Sequence, residues 1–475
     1  MPHIVPVWFS DLFGFTEGSS YSANRAHFSI EEDETSGERY LLCDCAPPHG
    51  RRQFVGEFET PSLGELRNRL SASSDQQQQG LEEVASTAGA SGKSDGSSGG
   101  SGGISYQHLC TPVGVQALIM DPVNAGSVFQ AASQFNCLEM VGPGVSPARG
   151  IAIYHEDPTQ GPKCALACPA GTVYRNYLSQ RGEGQAGKRG QIDCLTDVGR
   201  VLGNTSGSGG DGGKEKKKKE TGRFWTMQNG YCLPVTTKSM GELGRRLQAD
   251  PGLAAEAAAA HRVGVHWSTS VAPSSSDSSP RHRVAQVYAS AVPVAYSQST
   301  KSKDWEPFAR LVLEAAYDAT LAAARVKLEM DNARASAAGA GAASEEGEAS
   351  AGGTGGYGGG GRIKVFLTAL GGNAFGNRIE WIRDAIIKAL DKHRDAPLDV
   401  FQVHYGGTVK GQFKSIKVPP RKKNEKKLVP FHHGGEQAPA AAQEAEQKQK
   451  QKQKEEPQRE IKLPLIKQAA AAAAE

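Results

Sequence analysis

The stretch Lys364-Val365-Phe366-Leu367-Thr368-Ala369-Leu370-Gly371-Gly372-Asn373-Ala374-Phe375-Gly376-Asn377 decides how this chain is read. Its apolar start predicts a buried strand, its glycines a tight loop, and Arg378-Ile379-Glu380-Trp381-Ile382 the opening of a helix. Such a junction leaves backbone N–H groups unpaired at a helix N-terminus, where the helix dipole favours an anion. Glycines let the backbone approach that anion closely, and Phe375 offers a flat face to a base or ribose. A phosphate-bearing nucleotide is the natural occupant, and a glycine turn with no ligand is the plain structural alternative.

Working outward, the ordered pieces alternate in type. Val113–Met120 reads as an apolar strand, Asp121-Pro122 as a turn, and Ser127–Met140 as a helix-like run. Arg149–Tyr154 reads as a strand, Ala170–Leu178 as a short helix, and Tyr231–Val235 as a segment preceding a helix at Met240–Leu247. Val284–Val294 is a strand rich in β-branched residues and Ala. Trp305–Val326 carries a helical stripe at 308, 311, 312, 315, 316 and 319. Ile363–Leu370, a helix at Ile379–Leu390 and a strand at Leu398–His404 complete the series. Strands alternating with helices predict an α/β fold, a mixed, mostly parallel sheet flanked by helices. In such sheets ligands sit beyond the carboxyl ends of the strands, where the glycine loop lies.

Four low-complexity tracts interrupt these elements, at 71–103, 204–222, 331–361 and 434–459. Each has too little apolar content to offset its ordering entropy, so each is expected to be mobile. The first three fall between ordered segments and read as loop insertions in one fold. The expected organisation is an N-terminal segment 1–70 packed on the core and an α/β domain over 104–408 carrying the insertions 204–222 and 331–361. The insertion 71–103 separates the two, and a basic, low-complexity tail fills 409–475. Within 1–70, Tyr40-Leu41-Leu42-Cys43 is strand-like and Ser62–Leu70 helix-like.

The net charge of +3 is too small to imply a nucleic-acid partner for the whole chain. The run Val409–Lys427 carries eight Lys/Arg against Glu425 alone, which leaves an RNA contact or a nuclear address open beside a plain solvated tail. No apolar run reaches the roughly 20 residues that span a bilayer. The first eight residues lack the basic start and apolar core of a secretory signal, so an intracellular place, cytoplasmic or nuclear, is expected. The eight cysteines are dispersed, which argues against a disulfide framework. Cys43-Asp44-Cys45 and Cys164…Cys168 lack the paired two-residue spacing of a structural zinc site. His155, His266 and His404 show no ligand spacing, so neither a metal nor a cofactor is expected.

A second constellation is Asp121-Pro122-Val123-Asn124-Ala125-Gly126-Ser127-Val128-Phe129, in which Asn124 can cap a helix or bond a ribose hydroxyl. Downstream, Gln134, Asn136 and Glu139 interrupt an apolar run, and Glu139 is a candidate acid or base as well as an ordinary solvated Glu. A third polar cluster joins Thr159-Gln160-Gly161-Pro162 to Thr172–Tyr177, where Arg175 could pair with a phosphate or simply face solvent.

Together, the two loops and the order strand–helix–strand–glycine loop–helix–strand resemble the macrodomain superfamily, in particular its poly(ADP-ribose) glycohydrolase-like branch. The likeness is carried by Gln286-Val287-Tyr288-Ala289-Ser290-Ala291-Val292-Pro293, the helix near 305–326, and Leu370–Asn377. It spans roughly Val113–Met140 and Val284–Tyr405. In that branch the matching loop ends in the same Phe-Gly-Asn and embraces the diphosphate of ADP-ribose. The resemblance implies a ligand lined by Gly371, Gly372, Asn373, Ala374, Phe375, Gly376 and Asn377, with Gly126 and Gln134 also at the ligand and Asn124 and Asn136 orienting the distal ribose. It further implies ADP-ribose or an ADP-ribosylated macromolecule as partner, with Glu139 as acid–base and water as attacking species if the linkage is hydrolysed. The branch has a triple-glycine loop and a Gln-Glu-Glu where this chain has Asn124-Ala125-Gly126-Ser127 and Gln134-Phe135-Asn136. That departure keeps a non-catalytic ADP-ribose reader or interaction scaffold as the alternative.

Overall fold

In the computed structural model the described residues are 8–73, 102–204, 223–273, 281–297, 300–341, 361–409 and 411–418. The strands, in chain order, begin with β1 (Phe28–Glu32), β2 (Arg39–Cys43) and β3 (Arg52–Phe54), which form a small antiparallel sheet. Next come β4 (Phe58–Glu59), β5 (Ser105–Thr111), β6 (Val128–Ala132), a hairpin of β7 (Trp225–Gln228) and β8 (Tyr231–Pro234), and β9 (Gly264–Ser270). β10 (Arg283–Ala289), β11 (Ile363–Leu367) and β12 (Leu398–Tyr405) end the series.

Seven of these make the main sheet, in the order β4-β9-β10-β6-β11-β12-β5. The five strands from β10 to β5 pair in parallel, and only β9 and β4 are antiparallel, at one edge. Parallel pairing requires long crossovers, which the helices supply. The fold class is therefore α/β, with a mostly parallel sheet.

Both faces are covered, and two buried amides mark the layers. On β6, Gln130 donates to Thr320 Oγ1 of the long helix Ser302–Gly341 at 2.8 Å. Gln286, in register with Phe129 and so on the other face, donates to Cys164 O of the helix Gln160–Ala167 at 3.0 Å. Phe129, Phe366 and Phe401 stack across three neighbouring strands, with centroids 4.4 and 5.2 Å apart. A second core joins the N-terminal segment to residues 138–178, through Phe9, Leu12, Phe13 and Phe28 against Leu138, Tyr154 and Tyr177. Glu17 locks that junction by accepting from the amides of Ile151 and Ala152 and from Tyr177 Oη.

Two expectations are overturned around the second constellation. Gly114–Met120 is a helix, not a strand, and Val128–Ala132 is a strand where a helix was expected. Val115 and Ile119, one helical turn apart, are the buried residues of the first, while Val113 is 58% exposed. The second is buried on both faces, so it shows no alternation, and its alanines mimic a helix. Arg149–Tyr154 is no strand: Pro147–Arg149 and Ala152–Glu156 are 3-10 turns around Gly150, whose φ is +85°. The long helix also continues through the start of the 331–361 tract, to Gly341. A helix over 63–73 enters the 71–103 tract. The rest of those tracts, apart from 102–103, 204 and 361, lies outside the described residues, as do 434–459 and most of the basic run. Of that run, Phe413 and Ile416 are buried in the main core. Among the described residues no helix is long and apolar enough to cross a membrane.

Candidate functional site

A cleft of about 190 Å³ opens at the C-terminal ends of β6, β10 and β11. It is bounded by Ala132 at the end of β6 with Ser133 and Glu139 beyond it, by Ala289 at the end of β10 with Ala291 beyond it, and by Thr368–Phe375 after β11. Asp157 and Gln160 close one flank, and Tyr231 and Tyr296 another. A wider groove of about 750 Å³, containing Arg149, Ile153 and Glu156, shares Val141 and Asp157 with the cleft.

The glycine loop is fixed from behind. Tyr317 Oη donates to Thr368 O at 2.7 Å and accepts from the Leu370 amide at 3.0 Å, while Gln130 Oε1 accepts from the Thr368 amide at 3.2 Å. Asn377 is buried and staples the loop mouth, donating through Nδ2 to Val292 O at 2.9 Å and to Gly371 O at 3.3 Å. Gly371 has φ +65°, and a Cβ there would stand 2.5 Å from Asn377 Nδ2 and 2.6 Å from Ala291 Cβ. Only glycine fits that position. Phe375 lies between Tyr231 and Tyr296, with centroids 5.5 and 5.6 Å away. Among the described residues, the amides of Gly371, Ala374 and Phe375 find no acceptor in the protein. The helix Ile379–Lys392 begins just beyond, and its N-cap Arg378 makes no side-chain cap.

The facing loop, 133–140, is held by the β7–β8 hairpin. Asn229 and Gly230 have φ +46° and +79°, the two-residue turn that Asn-Gly favours. Gly230 O accepts from the Phe135 amide at 2.9 Å, and Tyr231 Oη donates to Met140 O at 2.7 Å. Inside the loop, Gln134 Oε1 accepts from the Met140 amide at 2.9 Å and Asn136 Oδ1 from the Leu138 amide at 3.1 Å. Gln160 extends β6 by one rung, its amide bonding the Ala132 amide at 2.7 Å and Gln130 O at 2.8 Å.

Glu139 sits on this loop, wholly buried. Its carboxylate pairs with Arg175 Nη2 at 3.0 Å and accepts from Ser133 Oγ at 2.7 Å. Arg175 is buried too, bonds Cys137 O at 2.7 Å and lies 3.7 Å over the Tyr288 ring. Burial pushes the Glu139 pKa up from the ordinary carboxylate value, against the pull of Arg175 and the Ser133 hydroxyl. Arg175, expected as a phosphate ligand or a surface residue, is neither: it is the counter-charge of Glu139. Asp157, half-buried at the rim, accepts from the Thr159 amide at 2.8 Å and is the other carboxylate lining the cleft.

The structure thus brings Gln134, Glu139 and the run Gly371–Phe375 to one cleft. Gly376, Asn377 and Asn136 stand behind its walls, as supports of the two loops. Asn124 and Gly126 do not belong to it. They precede β6, beside the first residues of β10 and β11: the Gly126 amide donates to Arg283 O at 2.8 Å and Lys364 Nζ to Val123 O at 2.9 Å. A five-residue strand, roughly 15 Å long, separates them from the cleft. Asn124 donates to Leu118 O at 2.9 Å and closes the preceding helix. The expected meeting of the Asn124 and Phe375 turns does not occur, because residues 128–132 form a strand. Sequence reading also missed Ser133, Asp157, Tyr231 and Tyr296. The Asn229-Gly230 dipeptide was the available pointer to Tyr231.

No family model and no curated protein matches the chain. Among solved structures, the poly(ADP-ribose) glycohydrolase of Thermomonospora curvata is similar at 10% identity and a TM-score of 0.32, covering 83% of this chain and 95% of that one. Neither figure reaches the level at which a shared fold follows.

Proposed function

We propose that this chain binds ADP-ribose or a closely related phosphate-bearing nucleotide in the cleft beyond β6, β10 and β11. One observation carries the reading: Gly371, Ala374 and Phe375, whose amides find no acceptor among the described residues, line the cleft on the glycine loop beside an aromatic trio. Backbone N–H groups left free beside a cleft suit an anion, and a phenyl–phenol wall suits a ribose or base. The adjoining groove gives room for the remainder of the nucleotide or for the macromolecule that bears it.

In the hydrolytic form of this proposal, Glu139 acts as acid–base on an ADP-ribosyl linkage. The second reading, a reader that holds ADP-ribose without turnover, is favoured by the Glu139 carboxylate itself, already occupied by Arg175 and Ser133. Calorimetric titration tests binding. ADP-ribose should bind the wild type, and Phe375→Ala should weaken it by about tenfold, roughly the worth of one aromatic contact; equal affinities would sink the site. Release of ADP-ribose from modified protein, lost in Glu139→Gln, would select the hydrolase over the reader.

A further inference from the structure

The geometry points to a divalent transition-metal site, of zinc character, formed by His27, Asp44 and Cys45 far from the cleft in sequence and independent of it in function. Their donor atoms form a closed triangle. His27 Nδ1 lies 2.9 Å from Asp44 Oδ1 and 3.0 Å from Cys45 Sγ, and Asp44 Oδ1 lies 3.0 Å from Cys45 Sγ.

Strand register builds this triangle. In the β1–β2 ladder Phe28 pairs with Cys43, so His27 and Asp44 are the next rung, and the Asp44 amide donates to His27 O at 3.2 Å. Cys45 follows immediately, while Cys43 points inward, buried with its thiol on Phe13 O. Phe15 backs the imidazole, with ring centroids 4.3 Å apart. Spacing along the chain gave no hint of this, because the third donor comes from the opposite strand.

The arrangement is not that of a catalytic relay. In a thiol–imidazole–carboxylate relay the two ring nitrogens face different partners. Here Asp44 and Cys45 both approach the same nitrogen, Nδ1, and each other. Three donors converging on one point are what a cation fills. A thiolate and a carboxylate neutralise a dication, and a neutral imidazole completes a nitrogen–sulfur–oxygen set suited to zinc. Calcium and magnesium, which take oxygen ligands, are unsuited. Tetrahedral zinc bonds of about 2.0–2.3 Å place donors roughly 3.4–3.6 Å apart, so about half an ångström of opening at exposed side chains admits the ion. Asp44 and Cys45 are exposed, which leaves the fourth position to water or an external donor. Binding displaces the Cys45 thiol proton to solvent, with no change of oxidation state.

The test is titration of the reduced full-length chain with Co(II) as a spectroscopic substitute. One equivalent should bring up a near-ultraviolet thiolate-to-metal charge-transfer band, which Zn(II) then bleaches. Cys45→Ser should abolish the band, and Cys110→Ser should leave it intact. His27→Gln should weaken binding by at least the roughly tenfold that losing even an outer-shell partner costs. Cys45 is at the surface, so thermal unfolding of Cys45→Ser without metal should match wild type. A chain giving no thiolate band, or a band that survives Cys45→Ser, overturns the proposal.

Discussion

At the scale of single residues, the decisive pair is Glu139 and Arg175. Each is fully buried and each is the other's counter-charge. Removing one partner leaves an uncompensated charge in a low-dielectric site, typically costing roughly 3–5 kcal/mol. Glu139→Gln should therefore lower unfolding free energy by about that amount, and Glu139→Gln combined with Arg175→Met should recover part of it. Urea unfolding of the two single variants and the double reads the coupling; strictly additive losses would contradict the pairing. This matters for function as well, because lost turnover in Glu139→Gln counts as chemistry only where the variant is still folded. The residue scale is also where sequence reading was weakest. Glu139 was visible as a lone carboxylate, but its partner lies 36 positions away on a segment read as a separate cluster. Nothing in local spacing links a loop residue to an Arg on the π-helical turn Tyr174–Leu178.

At the scale of elements, the β7–β8 hairpin is the brace of the site. Gly230 takes a left-handed φ, and a Cβ there would stand 2.5 Å from Asn136 Cγ. Gly230→Ala should push the hairpin off the 133–140 loop and lower stability by roughly 2 kcal/mol or more, through backbone strain and steric overlap together. A lowered melting temperature accompanied by weaker ADP-ribose binding would agree with the brace; a variant of unchanged stability would refute it. Elements with strong local signatures were legible. The run from β11 through the glycine loop into Ile379–Lys392, strand β12 and the helix Thr237–Ala249 all stand where their apolar periods and punctuation put them. Segments 113–140 were misread because a strand buried on both faces and a short helix differ little in apolar content. Only tertiary burial distinguishes Val128-Phe129-Gln130-Ala131-Ala132 from a helical turn.

At the scale of the whole molecule, buried histidines couple stability to pH. His261 is buried, and among the described residues neither ring nitrogen has a partner. Burial holds its pKa down at about 4, and burial lowers His266 as well. The unfolded chain takes up these protons near pH 6.5, while folded His261 does so only near 4. Between those values the unfolded state binds more protons, so stability falls as the pH falls, by on the order of 3 kcal/mol for His261. Urea midpoints should therefore drop from pH 7 to pH 4.5, and His261→Phe should flatten part of that slope; a pH-independent midpoint would contradict it. The α/β class was legible at this scale from alternation alone. Which loop faces the glycine loop across the cleft depended on one element, β6, whose identity was not.

The proposed nucleotide site lies beyond the C-terminal ends of β6, β10 and β11. Hydrogen–deuterium exchange with and without saturating ADP-ribose tests it directly. Binding there should slow exchange in 368–377 and 133–140 and leave 122–127, at the other end of β6, unchanged. Protection confined to 122–127, or none in either cleft loop while the nucleotide is bound, would contradict it.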